Sequence, residues 1–165
     1  MMSPRWKKTL VVFILISCFL GTEAQMLPYG APISNADAKK AAAAALAEAA
    51  KNHWTMAVAV VDPNGTLVYY EKTDNTQIGS ADVAIEKARS AARFKRPTKA
   101  FQDALAQGGP GLRVLGLPGA IPVEGGVPVV VEGKDGKVII GAIGVSGDTS
   151  EHDGQCATAG AAVIK

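Results

Sequence analysis

Residues 55–73 read TMAVAVVDPNGTLVYYEKT. Two runs rich in Val, Tyr and other strand formers flank Asp62-Pro63-Asn64-Gly65. Pro63 presets φ for a turn, and Gly65 accepts a positive φ at no steric cost. The stretch therefore predicts a β-hairpin. A second hairpin is predicted at residues 127–147, VPVVVEGKDGKVIIGAIGVSG, turning at Lys134-Asp135-Gly136. Two local hairpins build an antiparallel sheet; strands alternating with helices would build a parallel one.

Helices fill the intervals. Residues 36–52, ADAKKAAAAALAEAAKN, read as helix from propensity alone. Ser34 stands where an N-cap belongs, and Asp37 suits the positive helix end. Its small side chains let such a helix lie close to a sheet. A second helix is predicted at residues 80–96, with Ala84, Ala88, Ala91 and Ala92 as its packing stripe. Arg89, Arg93 and Arg96 fall at i, i+4 and i+7 on a neighbouring face. Pro97 stops this helix, and Thr98 offers a cap for a short one through Gln107. A last helix begins near Ser150, with Asp148, Thr149 or Ser150 as its cap. Residues 108–126 hold seven glycines and three prolines among Leu112, Val114, Leu115, Leu117 and Ile121. That is too apolar for a solvated linker, and a long ordered loop inside a domain is usually functional. A short strand is expected near Ile121. The order is α-β-β-α-α-loop-β-β-α, which makes the class α+β: an antiparallel sheet flanked by helices in one domain.

The N-terminal end is different in kind. Arg5, Lys7 and Lys8 precede an apolar run at residues 10–19, shorter than the roughly 20 residues a membrane span needs. Thr-Glu-Ala at residues 22–24 supplies small residues for a signal peptidase. The competing reading is a lipobox, Leu-Ile-Ser-Cys at residues 15–18, which would leave a lipid on Cys18. The apolar run continues through Phe19 and Leu20, which favours cleavage after Ala24. The chain thus divides into a signal peptide at 1–24, a flexible arm at 25–33 and a domain at 34–165. A periplasmic or secreted location is expected, with no membrane span in the mature chain.

Removing the leader takes away Arg5, Lys7, Lys8 and Glu23. The whole chain has 17 basic and 15 acidic residues, so 14 of each remain. A neutral chain has no long-range attraction for nucleic acid or an anionic membrane. Only Cys156 remains of the two cysteines, so no intrachain disulfide forms. The mature chain must be held by its core, a ligand or self-association.

Residues 141–160, GAIGVSGDTSEHDGQCATAG, concentrate polar groups near a strand of small residues. Gly-Val-Ser-Gly-Asp resembles a nucleophile elbow, but Asp148 stands where that motif needs glycine. Gly141, Gly144 and Gly147 miss the dinucleotide spacing. His152 and Cys156 are four apart, and two ligands do not make a metal site. Ala142, Gly144 and Ser146 share one strand face with almost no side-chain volume, which lets a backbone, a subunit or a flat ligand approach closely.

Four pieces then resemble one family in order: AVVDPNGTLV (59–68), EKARSAARFKRPT (86–98), GGVPVVV (125–131) and GAIGVSGDTSEHDGQCATAGAAVI (141–164). They are similar to the GlcG/HbpS-like haem-binding proteins. The resemblance implies a profilin-like α+β domain, symmetric homo-oligomers, and non-covalent haem binding with a haem-degrading or redox-sensing role. The Glu-x-x-Glu iron-binding pairs of extracellular members are absent; Asp82 and Glu86 stand four apart.

On that reading the glycine-rich loop and the basic helix form a haem surface, with Arg89, Arg93, Gly119, Gly125 and Gly126 as its residues. Lys87 and Arg96 are further partners for propionates. The alternative is a solvated face partly neutralised by Glu86. Candidate axial ligands are His53, His152, Tyr69, Tyr70, Met56 and Cys156. Each has an ordinary explanation: a helix end for His53, core packing for one of the tyrosines and for Cys156. Asp62 reads as a turn-former. No nucleophile, base and orienting group assemble, which favours a binding protein over an enzyme. The competing function is an accessory enzyme or binding protein for a small organic acid or aldehyde.

Overall fold

The computed structural model describes residues 26–165. The expected leader, with its expected cleavage site and Cys18, lies outside the described residues. Helix α1 (Asn35–Lys51) leads into strands β1 (Ala57–Val61) and β2 (Leu67–Lys72). Helices α2 (Ser80–Phe94) and α3 (Lys99–Ala106) follow, then a 3-10 helix at Gly109–Gly116. Strands β3 (Gly126–Gly133) and β4 (Gly136–Ser146) and helix α4 (Ser150–Ala162) complete the domain. The four strands pair antiparallel, in the order β2-β1-β4-β3. This is the α+β architecture that the two hairpins imply.

The sheet is buried on both faces. Val58, Val60, Val129, Ile143 and Val145 face α1 and α4. Ala57, Ala59, Val61 and Ala142 face the alanine stripe of α2. Alternation along β1 explains the division, since successive side chains point to opposite faces. Small residues set the spacing of the layers. A Cβ at Gly144 would overlap the backbone of α2 at Ala84 and Ala88. One at Gly160 would collide with Ile143 and with α1 at Ala41. The small strand face around Gly144 is thus filled by the chain's own helix, and carries no ligand.

Capping follows local chemistry at two ends and departs from it at a third. Ser34 accepts from Asp37 N, and Thr149 accepts from His152 N. Thr98 does not cap α3. Its hydroxyl accepts from Gly126 N at 2.9 Å, and its own N–H donates to Gly126 O at 3.0 Å. That ties α3 to the start of edge strand β3. Helix α2 ends at Phe94, because Lys95 turns left-handed at φ 55°. Arg96 therefore lies outside the helix, and the expected basic stripe shortens to Arg89 and Arg93.

Two further expectations change. Residues 28–33 are no loose arm. Gly30 N donates to Ile139 O, Ile139 N to Pro28 O and Ile33 N to Ile140 O, at 2.7–2.9 Å. Strand β1 pairs β4 only from Ala142 to Ser146, so the arm covers the part of β4 that β1 leaves open. Ile33 is buried and anchors it. Near Ile121 there is no strand; residues 117–125 run as a loop after the 3-10 helix, with a turn at Pro118-Gly119.

Candidate functional site

The loop after the 3-10 helix lies along α2. Ile121 N donates to Ser90 Oγ at 3.1 Å and pins it there. Between them opens a groove of about 340 Å³. Val83 on the helix and Ile121, Pro122 and Val123 on the loop give it apolar walls, with Asp82 and Glu86 at its border. Val83 and Val123 are exposed, so this apolar surface meets solvent.

Farther along α2 stand the two arginines. Arg89 is committed within the protein. Its Nη1 meets Glu86 Oε1 at 2.6 Å and its Nε donates to Gly65 O at 3.2 Å. Arg93 is exposed and makes no ion pair among the described residues. A Cβ at Gly119 would stand 2.9 Å from Arg93 Nη1, and Gly119 has φ +82°. Glycine at 119 therefore serves both the turn and the space beside the guanidinium. Asp62 is a turn-former as expected: its Oδ1 accepts from Asn64 N and Thr66 N.

The five residues read together as one surface fall into two places. Arg89, Arg93 and Gly119 share the α2–loop side. Gly125 and Gly126 border a second, smaller pocket with Pro97, Lys99, Glu124 and Thr158. Both are buried. A Cβ at Gly126 would overlap Lys87 O, and one at Gly125 would press on Val145 O, Asp153 and Lys87 Nζ. Their smallness serves chain packing.

Lys87 is not available to any propionate. It is 1% exposed, its Nζ lies 2.6 Å from Asp153 Oδ2, and it also donates to Val145 O. Burial pushes the Lys87 amine below its ordinary pKa and the Asp153 carboxyl above its own, and each group restrains the other. Sequence reasoning missed this pair because its members are 66 residues apart. It also missed Glu124, whose one sequence signal is that it adjoins Gly125-Gly126.

The iron-ligand candidates separate as well. Met56 and Cys156 are fully buried, and burial pushes the Cys156 thiol up to about 12. His53 is exposed at the left-handed end of α1, φ 59°. His152 stacks on Trp54 at 3.8 Å, with its Nδ1 3.0 Å from Asp148 Oδ1. Tyr69 packs on the α1 side of the sheet and Tyr70 on the α2 side. His152 and Cys156 do not converge, and no group of three metal-ligating side chains occurs among the described residues.

The model of the family described as haem-degrading protein HbpS-like matches residues 33–162. The chain belongs to the HbpS-like family. It is 39% identical to Protein GlcG of Escherichia coli K12 over 104 residues, 63% of this chain and 73% of that one. The fold is that of the HbpS crystal structure, with TM-score 0.69 and 35% identity over 84% of this chain and 94% of the other. The crystal structure of a PduOC–haem complex also superimposes, with TM-score 0.69 and 26% identity over 81% and 96%. The expected family and its sheet-and-helix fold are thus found. No described helix is long and apolar enough to cross a membrane.

Proposed function

We propose that this protein is exported and binds ferric haem without covalent attachment in the groove between α2 and residues 121–123. The carrying observation is the apolar groove of Val83, Ile121, Pro122 and Val123, on the helix that also bears the unpaired Arg93. Apolar walls suit a porphyrin face, and a guanidinium suits a carboxylate edge. HbpS-like family membership and the haem-bound PduOC relative support the choice of ligand. The apolar walls suit part of the ring face, and Arg93 suits a propionate. Among the described residues no histidine, cysteine, methionine or tyrosine lines the groove, so its grip is on the macrocycle. Bound haem would supply redox or oxygen chemistry at its iron, while these side chains hold and orient the ring.

Titration with haemin, followed at the Soret band, tests this. A saturable change is expected for the wild type. Val123→Asp places a charge on an exposed apolar wall and should weaken binding at least tenfold. Arg93→Ala should cost about 1 kcal/mol, roughly fivefold, for a partly solvated charge-assisted contact. Absence of a saturable change, or unaltered binding by both folded variants, overturns the haem reading.

A further inference from the structure

Val123 and Glu124 are consecutive and open on different cavities. Val123 borders the groove, whereas Glu124 borders a pocket of about 200 Å³ beside β3 and α4. The pocket is smaller than the groove and suits a small molecule. Pro97 and Val127 give it apolar walls.

The Glu124 side chain is 18% exposed. Among the described residues no donor hydrogen-bonds to its carboxyl oxygens. Lys99 Nζ is the nearest cation, at 3.9 Å, beyond hydrogen-bond reach. It is committed to both oxygens of Asp103, at 2.7 and 3.0 Å. Thr158 spends its hydroxyl proton on Gly154 O and keeps its lone pairs. The pocket therefore offers acceptors, while its lining cation, Lys99, directs two of its three donors to Asp103. Its charge has the same sense: Glu124, Asp103 and Glu151 outnumber Lys99, while Lys87 and Asp153 neutralise each other. Burial pushes the Glu124 carboxyl above the usual carboxylate range, and Glu151 and Asp103 add to this against Lys99 and Lys87.

The carboxyl is also held in place. Glu124 N donates to Gln102 Oε1 at 2.8 Å, and Gly125 O accepts from Val145 N at 2.8 Å. A Cβ at residue 154 would overlap the Glu124 carboxyl, so glycine there admits it against α4. A rigidly placed carboxyl that keeps some solvent contact and takes no hydrogen bond from the described residues is open to a donor from outside.

We propose that this pocket binds a small primary amine in its ammonium form, with the nitrogen on Glu124 and Thr158 and a short apolar tail against Pro97 and Val127. An ammonium is compact and brings three donors and a positive charge. A carboxylate would add to the acidic excess, and an alcohol brings one donor without charge. The site is separate from the haem groove and stands or falls without it.

The test is a titration of the folded protein with propylammonium chloride at constant ionic strength and pH 7. The readouts are the carboxyl carbon of Glu124 and the amides of Gly125 and Gly126 by NMR. Saturable shifts are expected with propylammonium. None are expected with propionate, or with tetramethylammonium, which has charge but no N–H. Glu124→Gln should raise the dissociation constant at least tenfold, and Thr158→Val several-fold. Each variant must keep the wild-type amide pattern elsewhere. The proposal is overturned if propylammonium gives no saturable shift, if propionate or tetramethylammonium binds as well, or if both variants bind as the wild type does.

Discussion

Lys87 shows how a residue's meaning depends on where the fold puts it. In sequence it is one cation among Arg89, Arg93 and Arg96; in the fold it is buried and bridges α2 to Asp153 of α4. Breaking such a pair leaves an unpaired buried charge, at a cost of about 3–5 kcal/mol. Lys87→Met should therefore lower the melting temperature sharply in a calorimetric scan. The double variant with Asp153→Leu should recover much of the loss, since no charge is then stranded. A double variant as unstable as the single would show that the pair's role is something other than mutual neutralisation. Glu124 gives the second residue-scale prediction. Burial raises its folded pKa above the unfolded value, so the folded state binds the proton more tightly. The carboxyl therefore subtracts stability as pH rises from its unfolded value through its folded one. Glu124→Gln should match the wild type in the acid range, where the carboxyl is protonated in both states. It should be the more stable of the two at neutral pH. Chemical unfolding at both ends of that window measures this, and a variant less stable at neutral pH contradicts it.

Elements were legible where their signals are local. Asp62-Pro63-Asn64-Gly65 carries its own turn chemistry, and Asp62 Oδ1 makes the two bonds that close it. Ser34 and Thr149 cap the helices they precede. What escaped the sequence is non-local. Thr98 has a capping side chain in the right place, yet Gly126, 28 residues away, claims it. Residues 28–33 look loose because their hydrogen-bond partner is β4, more than a hundred residues on. The candidate site was half legible for the same reason. Arg93 and the apolar loop could be found by composition, but their separation from Gly125 and Gly126 needed the path of the loop along α2. The layer spacing itself can be tested. Gly144→Ala drives a methyl group into the backbone of α2 and should destabilise by about 1–3 kcal/mol, as overpacking does. Gly116→Ala has nothing within 4 Å and should melt as the wild type does. Equal behaviour of the two would mean that α2 yields readily.

At the scale of the whole molecule, the alanine and glycine contacts that bring α1, α2 and α4 close to the sheet also limit the apolar volume inside. Alanines supply much of the buried core, and Cys156 has no cysteine partner among the described residues. At the same time large apolar side chains remain outside. Ile78 is 89% exposed, and Leu112 and Leu115 on the 3-10 helix are 52% and 69% exposed. We propose that copies of the chain cover such side chains, since association favours the folded state by mass action. On the proposal that residues 1–24 are a leader, the species to examine is the exported one. Intact-mass measurement of secreted or periplasmic material should give a chain beginning at Gln25; a mass beginning at Cys18 with added lipid would assign the other signal. Light scattering of that species should give a multiple of the protomer mass at micromolar concentration. Leu115→Lys and Ile78→Lys should shift it towards the protomer without unfolding it, since both side chains already face solvent in the isolated chain. A protomer mass throughout would mean that these side chains are left to solvent and that the small core suffices alone.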